Sequence, residues 1–370
     1  MKLKEAPLAG YLMARSAMHQ KVEGQDLKNL RAGNETVQQV SELMPLGRAN
    51  VVQDIAIAKD IHLPLRKDAA NKLAEDLLFN HLRHGRDLTE DDINGTIAAA
   101  AQYAKTGTCG DFASNTTALH AAKLADMQDE RAVVSHAGHK TVDHGWSEFL
   151  PKGTNADGTL ILHGKDVIMD GWGVNNHAIF REDCKFARLD QDGKADQIKH
   201  DDPLNHRSGP EALKVLEKYK AQIENSPHFQ DVFKTEFDRL VKEKHEWPKG
   251  SFWSATNIIH PEFQIRASAA LHKDAKHVRD ANDVQEAAKH APDAKESRIK
   301  KIFRGRAEQA KRNNVRNRAE QVKHASLAEI QAIGVARSLG SNIRGAIEEA
   351  SGIVASAKEM FPRPEYRLPA

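Results

Sequence analysis

The chain has 370 residues, of which 40% are hydrophobic and 29% are charged, a globular composition that suits two domains or one domain with large extensions. Its net charge of +2 does not by itself predict a polyanionic partner, and its two cysteines exclude a disulfide framework. No apolar run approaches the roughly 20 residues of a membrane helix, and the charged N-terminal residues exclude a Sec-type signal. We therefore expect a protein that acts in a cytoplasm and has no transmembrane segment.

The N-terminal region, residues 1–104, is predicted to be helical. Apolar residues recur at helical spacing over 37–44 and over 73–82. Thr89 and the three acidic residues that follow it are typical of a helix start, because the hydroxyl can cap free N–H groups and the carboxylates favour the positive end of the helix dipole. We expect this last helix to end near Gly107.

Residues 105–200 have a different sequence pattern, which predicts an α+β core. A helical pattern over 112–125 is followed by short β-type runs, which lie at 131–135, 144–150, 159–162, 166–169 and 178–180. Glycine and Asn/Asp turns separate these runs. One helix followed by an antiparallel sheet is the predicted arrangement.

The remaining chain is predicted to be helical, with residues 201–270 packed on the core as an extension and residues 271–370 forming a basic C-terminal region. Helical patterns recur there over 327–339 and 343–357. The segment 298–323 carries ten Lys or Arg against two Glu. Contact with an anionic partner, either nucleic acid or a membrane surface, is the alternative function for this segment, although most such charge runs are solvated helices.

The stretch GTCGDFAS (107–114) places Cys109 between two glycines, just before a predicted helix. A cysteine nucleophile must lose its proton, which a nearby base or a helix N-terminus promotes. Gly107 and Gly110 leave the backbone free to present the thiol and to direct N–H groups at an oxyanion. A single cysteine is more often a packing residue, and Cys184, which has no such neighbours, is predicted to be structural.

Two later motifs supply partners for such a thiol. His144 opens the run HGWSEF, in which alternation places His144, Trp146 and Glu148 on one strand face. The run VIMDGW ends a predicted strand with Asp170, whose carboxylate is suited to bind the second ring nitrogen of the histidine. Trp146 and Trp172 are either core residues or walls that keep water from the reacting group.

Several alternatives to this assignment stay open. His139 is a second candidate base, and Asp143 and Asp166 are substitutes for Asp170, which is also a typical turn residue before glycine. Gln102 is a candidate oxyanion donor seven residues before the cysteine, but it lies on a predicted helix. The spacing of the histidines matches no zinc signature, so we expect neither a metal nor a cofactor; these histidines are His136, His139, His144, His163 and His177.

The motifs GTCGDFAS, HGWSEF and VIMDGW, in this order, resemble the transglutaminase-like superfamily, a circularly rearranged relative of papain-type enzymes, over about residues 105–180. The resemblance implies a cysteine-bearing helix packed on an antiparallel sheet. It makes Cys109 the nucleophile, His144 the general base and acid, and Asp170 the orienting carboxylate. The reaction would pass through a thioester, which water resolves in hydrolysis and deamidation and an amine resolves in cross-linking.

The helical surroundings and the lack of a Sec signal resemble the AvrPphE/HopX class of bacterial type III effectors. This resemblance implies a secreted virulence protein with cysteine protease activity, which enters the host cell cytoplasm and acts on a host protein, with an export chaperone as a second partner. It makes residues 1–104 a target-recognition or structural module. Proteolysis is the favoured function; transglutamination or deamidation of protein glutamine, and non-enzymatic binding to an anionic surface, are the alternatives.

Overall fold

A computed structural model describes most of the first 272 residues, namely 6–85, 87–127, 130–173, 177–247, 252–253 and 257–272. The predicted helices over 327–339 and 343–357 and the basic segment 298–323 lie outside the described residues. The described residues fall into two compact units, one formed by 23–261 and the other by 6–22 with 262–272. The predicted boundaries at residues 104 and 200 both fall inside the larger unit.

The smaller unit consists of α1 (Ala6–Ala17) and a helix over 261–272, whose first residue is assigned to the larger unit. Tyr11 and Phe263 are both buried, and their ring centroids lie 5.5 Å apart. An aromatic pair at this separation is a favourable packing contact, so the two helices share a small apolar core.

The larger unit contains most of the helices, which are α2 (Gly24–Leu43), α3 (Val52–Ala58), α4 (Leu63–Arg83), α5 (Glu90–Ala104), α6 (Cys109–Met127), α7 (Ser208–Asn225) and α8 (Pro227–Lys242). The predicted start of α5 is confirmed, because the Thr89 hydroxyl accepts from the Asp92 N–H and the Asp92 carboxylate accepts from the Thr89 N–H. This reciprocal pair is a capping box. The helix ends at Ala104, before the predicted Gly107, because Lys105 takes a left-handed conformation with φ of 62°.

Helix α6 begins three residues earlier than predicted, so Cys109 is its first residue. The Asp111 carboxylate closes the first turn by accepting from the Thr108 N–H at 2.6 Å. A side chain at Gly107 would place its Cβ 2.6 Å from the Asp111 Cβ, which explains the glycine at this position. Asp111 also accepts from the Lys67 ammonium at 2.7 Å in a buried ion pair. The start of α6 is therefore anchored to α4.

The sheet has five antiparallel strands in the order β4-β3-β2-β1-β5, where the strands are β1 (Val133–His139), β2 (Gly145–Leu150), β3 (Val167–Met169), β4 (Ile179–Phe180) and β5 (Ile198–His200). Helices and an antiparallel sheet in one unit confirm the α+β prediction. The strand predicted over 159–162 is wrong, because only an isolated bridge joins Thr154 to Leu160 within a series of turns. Strand β5 was not predicted, since Ile198 is its only apolar residue.

One face of the sheet packs on α6 through alternate residues of β2. The Ser147 hydroxyl shares a hydrogen bond with the Thr117 hydroxyl and also lies 3.1 Å from the Ala113 carbonyl oxygen. The Phe149 ring lies 5.0 Å from the His120 ring. Helices α5 and α7 pack against α6 in turn, and α4 packs against α5 and α8. Helix α6 therefore lies between the sheet and the helical layer.

A buried charge network joins several segments around Glu148 of β2. Arg181 is fully buried and donates to both the Glu148 and the Asp166 carboxylates, the latter at 3.0 Å. Glu148 lies 2.7 Å from His200 Nε2 and accepts from the Trp146 indole N–H at 2.7 Å. Burial acts to raise the pKa of Glu148, but the charge of Arg181 and the hydrogen bond from His200 lower that pKa to about 2. Glu148 is therefore ionised and paired.

Replacing Arg181 with methionine should lower the free energy of unfolding by about 3–5 kcal/mol, because two buried carboxylates, Glu148 and Asp166, would lose their guanidinium partner. Equilibrium urea unfolding measures this loss. The matched control is Arg239→Met on α8, where the ion pair with Glu236 is solvent-exposed and should contribute little. Equal urea midpoints for the two variants would contradict a structural role for the buried network.

Candidate active site

Cys109 is partly buried at the first position of α6. The first hydrogen bond within the helix runs from the Phe112 N–H to the Thr108 carbonyl at 3.1 Å, so the N–H groups of Cys109 and Gly110 precede the hydrogen-bonded turn. A Cβ added at Gly110 would meet no atom within 4 Å. The space beside Gly110 is therefore open, and Cys109 lies at the positive end of the helix dipole.

His144 lies immediately before β2 and is fixed by Asp170, which follows β3. Its Nε2 is 2.7 Å from Asp170 Oδ2, and the two side chains are only 2% and 3% exposed. Cys109 lies close enough to the same ring to raise its pKa. Nδ1 is the ring nitrogen left for the thiol, since it is buried and has no well-aligned hydrogen-bond partner in the part of the chain that the structure describes. Such contacts are often imperfectly aligned before substrate binds.

The electrostatics of this histidine favour its protonated form. Burial acts to lower the pKa of His144, but the charge and hydrogen bond of Asp170, together with the Cys109 thiolate, raise that pKa to about 10. At neutral pH the ring is therefore an imidazolium next to sulfur. A positive charge beside a cysteine is one of the features that favour the thiolate, the reactive form of the residue.

The turn after β3 holds the Asp170 carboxylate in place. Oδ1 accepts from the backbone N–H groups of Trp172 at 2.9 Å and Gly173 at 3.0 Å, while Oδ2 binds the histidine. The two sequence interpretations of Asp170, as a turn residue and as an orienting carboxylate, are therefore compatible. Because both oxygens are engaged, the carboxylate is held in one orientation toward His144.

Aromatic rings enclose His144. Its ring centroid lies 5.6 Å from that of Trp146, 5.1 Å from that of Trp172 and 4.9 Å from that of Phe186. Both tryptophans are buried, so they belong to the core and also contact the His144 ring; their role as a wall of the reacting group stays a prediction. Phe186 was missed, because a lone aromatic residue after the last predicted strand carries no pattern. Excluding water in this way strengthens the interaction between His144 and Asp170.

The segment between α2 and α3 contributes further residues to the site, and no sequence pattern indicated them. Arg48 donates to the Trp172 carbonyl at 2.6 Å and forms two 2.7 Å contacts with the Asp54 carboxylate. Asn50 accepts from the Trp172 indole N–H at 3.1 Å. The Ala49 N–H donates to the Gly107 carbonyl at 2.8 Å, just before Cys109. This segment therefore supports both the cysteine side and the Asp170 side of the site.

The other candidates from the sequence lie apart from this arrangement. The Gln102 amide donates to Asn115 at 2.7 Å between α5 and α6, so the structure places this donor in a helix contact rather than beside the thiol. His139 accepts from backbone N–H groups in the β1–β2 turn, Asp143 is exposed in that turn, and Asp166 binds Arg181. Among the residues that the structure describes, no group of three or more His, Cys, Asp or Glu is placed to hold a metal ion.

The fold and the site define an α+β protein with a Cys-His-Asp arrangement at the start of a buried helix. No family model, no curated protein and no solved structure matches this chain. The transglutaminase-like resemblance therefore stays a prediction from the three motifs. None of the helices in the described ranges is long and apolar enough to cross a bilayer.

The two thiols should differ strongly in reactivity toward iodoacetamide at pH 7. Cys109 is partly exposed beside an imidazolium, whereas Cys184 is 1% exposed and burial raises its pKa to about 12. Labelling of Cys109 in native Cys184→Ala protein should be at least about tenfold faster than labelling of Cys184 in native Cys109→Ala protein. Unfolding in urea should remove the difference. Mass spectrometry measures both rates. Equal, slow labelling of the two native variants would contradict the proposed thiolate.

Asp170→Asn should change how the labelling rate of Cys109 depends on pH. In the parent protein the raised pKa of His144, about 10, keeps the ring protonated throughout pH 6–8, so the charge beside the thiol should not change over this range. The variant loses the charge that raises this pKa, so the ring should lose its proton at lower pH and the labelling profile over pH 6–8 should differ from that of the parent protein. Stopped-time labelling in the Cys184→Ala background measures both profiles.

The matched control for this change is Asp190→Asn. Asp190 also accepts two backbone N–H groups in a turn, from Asp192 at 2.9 Å and Lys194 at 2.8 Å, but it is exposed. The control should therefore keep the parent pH profile. If Asp170→Asn also keeps it, the carboxylate does not control the charge of His144.

Proposed function

We propose that this protein is a cysteine-dependent hydrolase or acyltransferase that acts on a protein substrate through Cys109, His144 and Asp170. The observation that carries the proposal is the position of His144, which binds Asp170 with Nε2 at 2.7 Å, keeps Nδ1 without a partner among the described residues, and lies close enough to Cys109 for the two to interact. A nucleophile, a base and an orienting acceptor in this sequence of contacts are what covalent catalysis by cysteine requires.

In the acylation step, the Cys109 thiolate attacks the carbonyl carbon of a substrate amide. The new C–S bond pushes the carbonyl electron pair onto oxygen, and the N–H groups of Cys109 and Gly110 at the start of α6 are available to that oxyanion. His144 then donates its Nδ1 proton to the amide nitrogen as the C–N bond breaks. The products are a free amine and a thioester on Cys109.

In the deacylation step, a second nucleophile releases the acyl group. Neutral His144 takes a proton from water, the hydroxide adds to the thioester carbon, and the C–S bond breaks to give a carboxylic acid and the Cys109 thiolate. Asp170 keeps the ring oriented and stabilises the imidazolium that forms. We propose peptide-bond hydrolysis as the outcome; deamidation of glutamine, or transfer to an amine, shares the same thioester.

We also propose that the core is transglutaminase-like and that the protein is an AvrPphE/HopX-like type III effector acting on a host protein in the host cytoplasm. The first proposal is supported by α6, which starts at Cys109 and packs on β1 and β2, with His144 before β2 and Asp170 after β3. The second is supported by the motif resemblance and by the mostly helical surroundings.

The test is a proteomic comparison of a cytosolic extract treated with parent protein or with Cys109→Ala. We expect new protein N-termini with the parent protein and none with the variant, because the variant has no nucleophile. Glutamine-to-glutamate conversion, or incorporation of an added fluorescent amine, would assign deamidation or transglutamination instead. Cys184→Ala is the control and should retain activity, since Cys184 is buried and its thiol takes no part in the proposed steps.

Circular dichroism must show that Cys109→Ala is folded. The same modification from parent protein and Cys109→Ala, or no modification from either one, would reject the enzyme proposal.

A further inference from the structure

A cavity of about 280 Å³ lies among α5, α6, α7 and the segment after β5. Four carboxylates line it, with Glu90 and Asp91 at the start of α5 and Asp201 and Asp202 after β5. None of the residues proposed for catalysis belongs to its wall. The cavity is therefore a feature separate from the Cys109 site.

The wall of this cavity carries more negative than positive charge. His136 is the one basic residue of the wall, and its Nδ1 lies 3.1 Å from Asp201 Oδ2; no lysine or arginine lines the cavity. Burial raises the pKa of Glu90, and so does repulsion from Asp201, Asp202 and Asp91. A cation in the cavity would offset this repulsion.

Ser114 of α6 gives an independent indication of a ligand. It is 6% exposed and lines the cavity, and its hydroxyl forms no hydrogen bond with any residue that the structure describes. The neighbouring hydroxyls are satisfied, since Thr116 donates to the Phe112 carbonyl at 2.7 Å and Thr117 binds Ser147. Because it has no partner among the described residues and lines the cavity, the Ser114 oxygen is available to accept a hydrogen bond from a bound group.

The size and the apolar part of the wall restrict the ligand further. Ala118, Leu204 and Ala212 line the cavity and suit an aliphatic chain. A volume of about 280 Å³ lies at the lower limit of small-molecule pockets. Within the described ranges no cluster of three acidic, histidine or cysteine side chains is placed to hold a metal ion. An elongated organic cation fits these features better than a metal ion does.

We propose that this cavity binds a primary alkylammonium group, supplied by a free polyamine or by a lysine side chain. The ammonium lies among the carboxylates of Glu90, Asp201 and Asp202 and donates to the Ser114 hydroxyl. The methylene chain contacts the apolar residues of the wall. Charge-assisted hydrogen bonds of this kind are stronger than neutral ones, so the carboxylates provide most of the affinity.

The test is isothermal titration of the full chain with cadaverine at low ionic strength. Cadaverine should bind, whereas pentanediol, which has the same chain length without charge, should not. Asp202→Asn should weaken binding about tenfold, and Ser114→Ala should weaken it by a smaller factor. Asp202 forms no other ion pair or hydrogen bond within the described residues, so its substitution should leave folding intact. Glu217→Gln, which removes a carboxylate of α7 outside the cavity, is the matched control.

Two further ligands identify the source of the ammonium group. Tighter binding of spermidine than of N-acetyl-lysine methylamide assigns a free polyamine, and the reverse order assigns a lysine side chain. Cys109→Ala should bind cadaverine as well as the parent protein does. Binding of pentanediol, or equal affinities of Asp202→Asn and Glu217→Gln for cadaverine, would overturn the proposal. Because the experiment measures binding alone, that result would leave the proposed catalytic function untouched.

Discussion

The register between β2 and β3 is the constraint on which the candidate site depends. Ser147 pairs with Met169, which places His144 and Asp170 at the same end of the ladder. A slip of one residue would turn the side chains to the opposite faces, and a slip of two would move Asp170 by about 6–7 Å. The buried Arg181 opposes both changes, because it binds Glu148 on β2 and the Asp166 carboxylate just before β3. A structural ion network thus secures the hydrogen bond that orients the histidine.

The two acidic residues that bind Arg181 have opposite net pKa shifts, although burial acts to raise the pKa of both. The pKa of Glu148 is lowered to about 2 because the charge of Arg181 and the contact with His200 outweigh desolvation. The pKa of Asp166 is raised to about 6, because desolvation outweighs its contact with Arg181. Since buried ion pairs recover little net energy, the network contributes more to the specificity of the register than to total stability. The pKa of His144 depends on the same two effects. Burial lowers this pKa, but the interactions with Asp170 and Cys109 raise it by more.

Sequence patterns indicated candidate residues that border helices and strands. They did not indicate residues that reach the site from distant parts of the chain. Cys109, His144 and Asp170 were identifiable because each lies at the end of a helix or strand, marked by glycine or by alternating side chains. Arg48 reaches Trp172 across 124 positions, and no local pattern indicates such a contact. Strand β5 was not predicted, because its three residues, which pair with β1, are too few to show the alternation of apolar and polar side chains typical of a strand.

Helix α6 explains how one element serves both the catalytic site and the cavity. Every residue from 111 to 121 is buried, between the sheet on one side and α5 and α7 on the other. The approach of α7 is so close that a Cβ at Gly209 would lie 2.2 Å from the Ala121 carbonyl oxygen. A helix held this tightly cannot turn or shift without breaking contacts on every side, so Cys109 at its first position is presented in a fixed place. Further along the same helix Ser114 lines the cavity, where its hydroxyl has no hydrogen-bond partner among the residues that the structure describes.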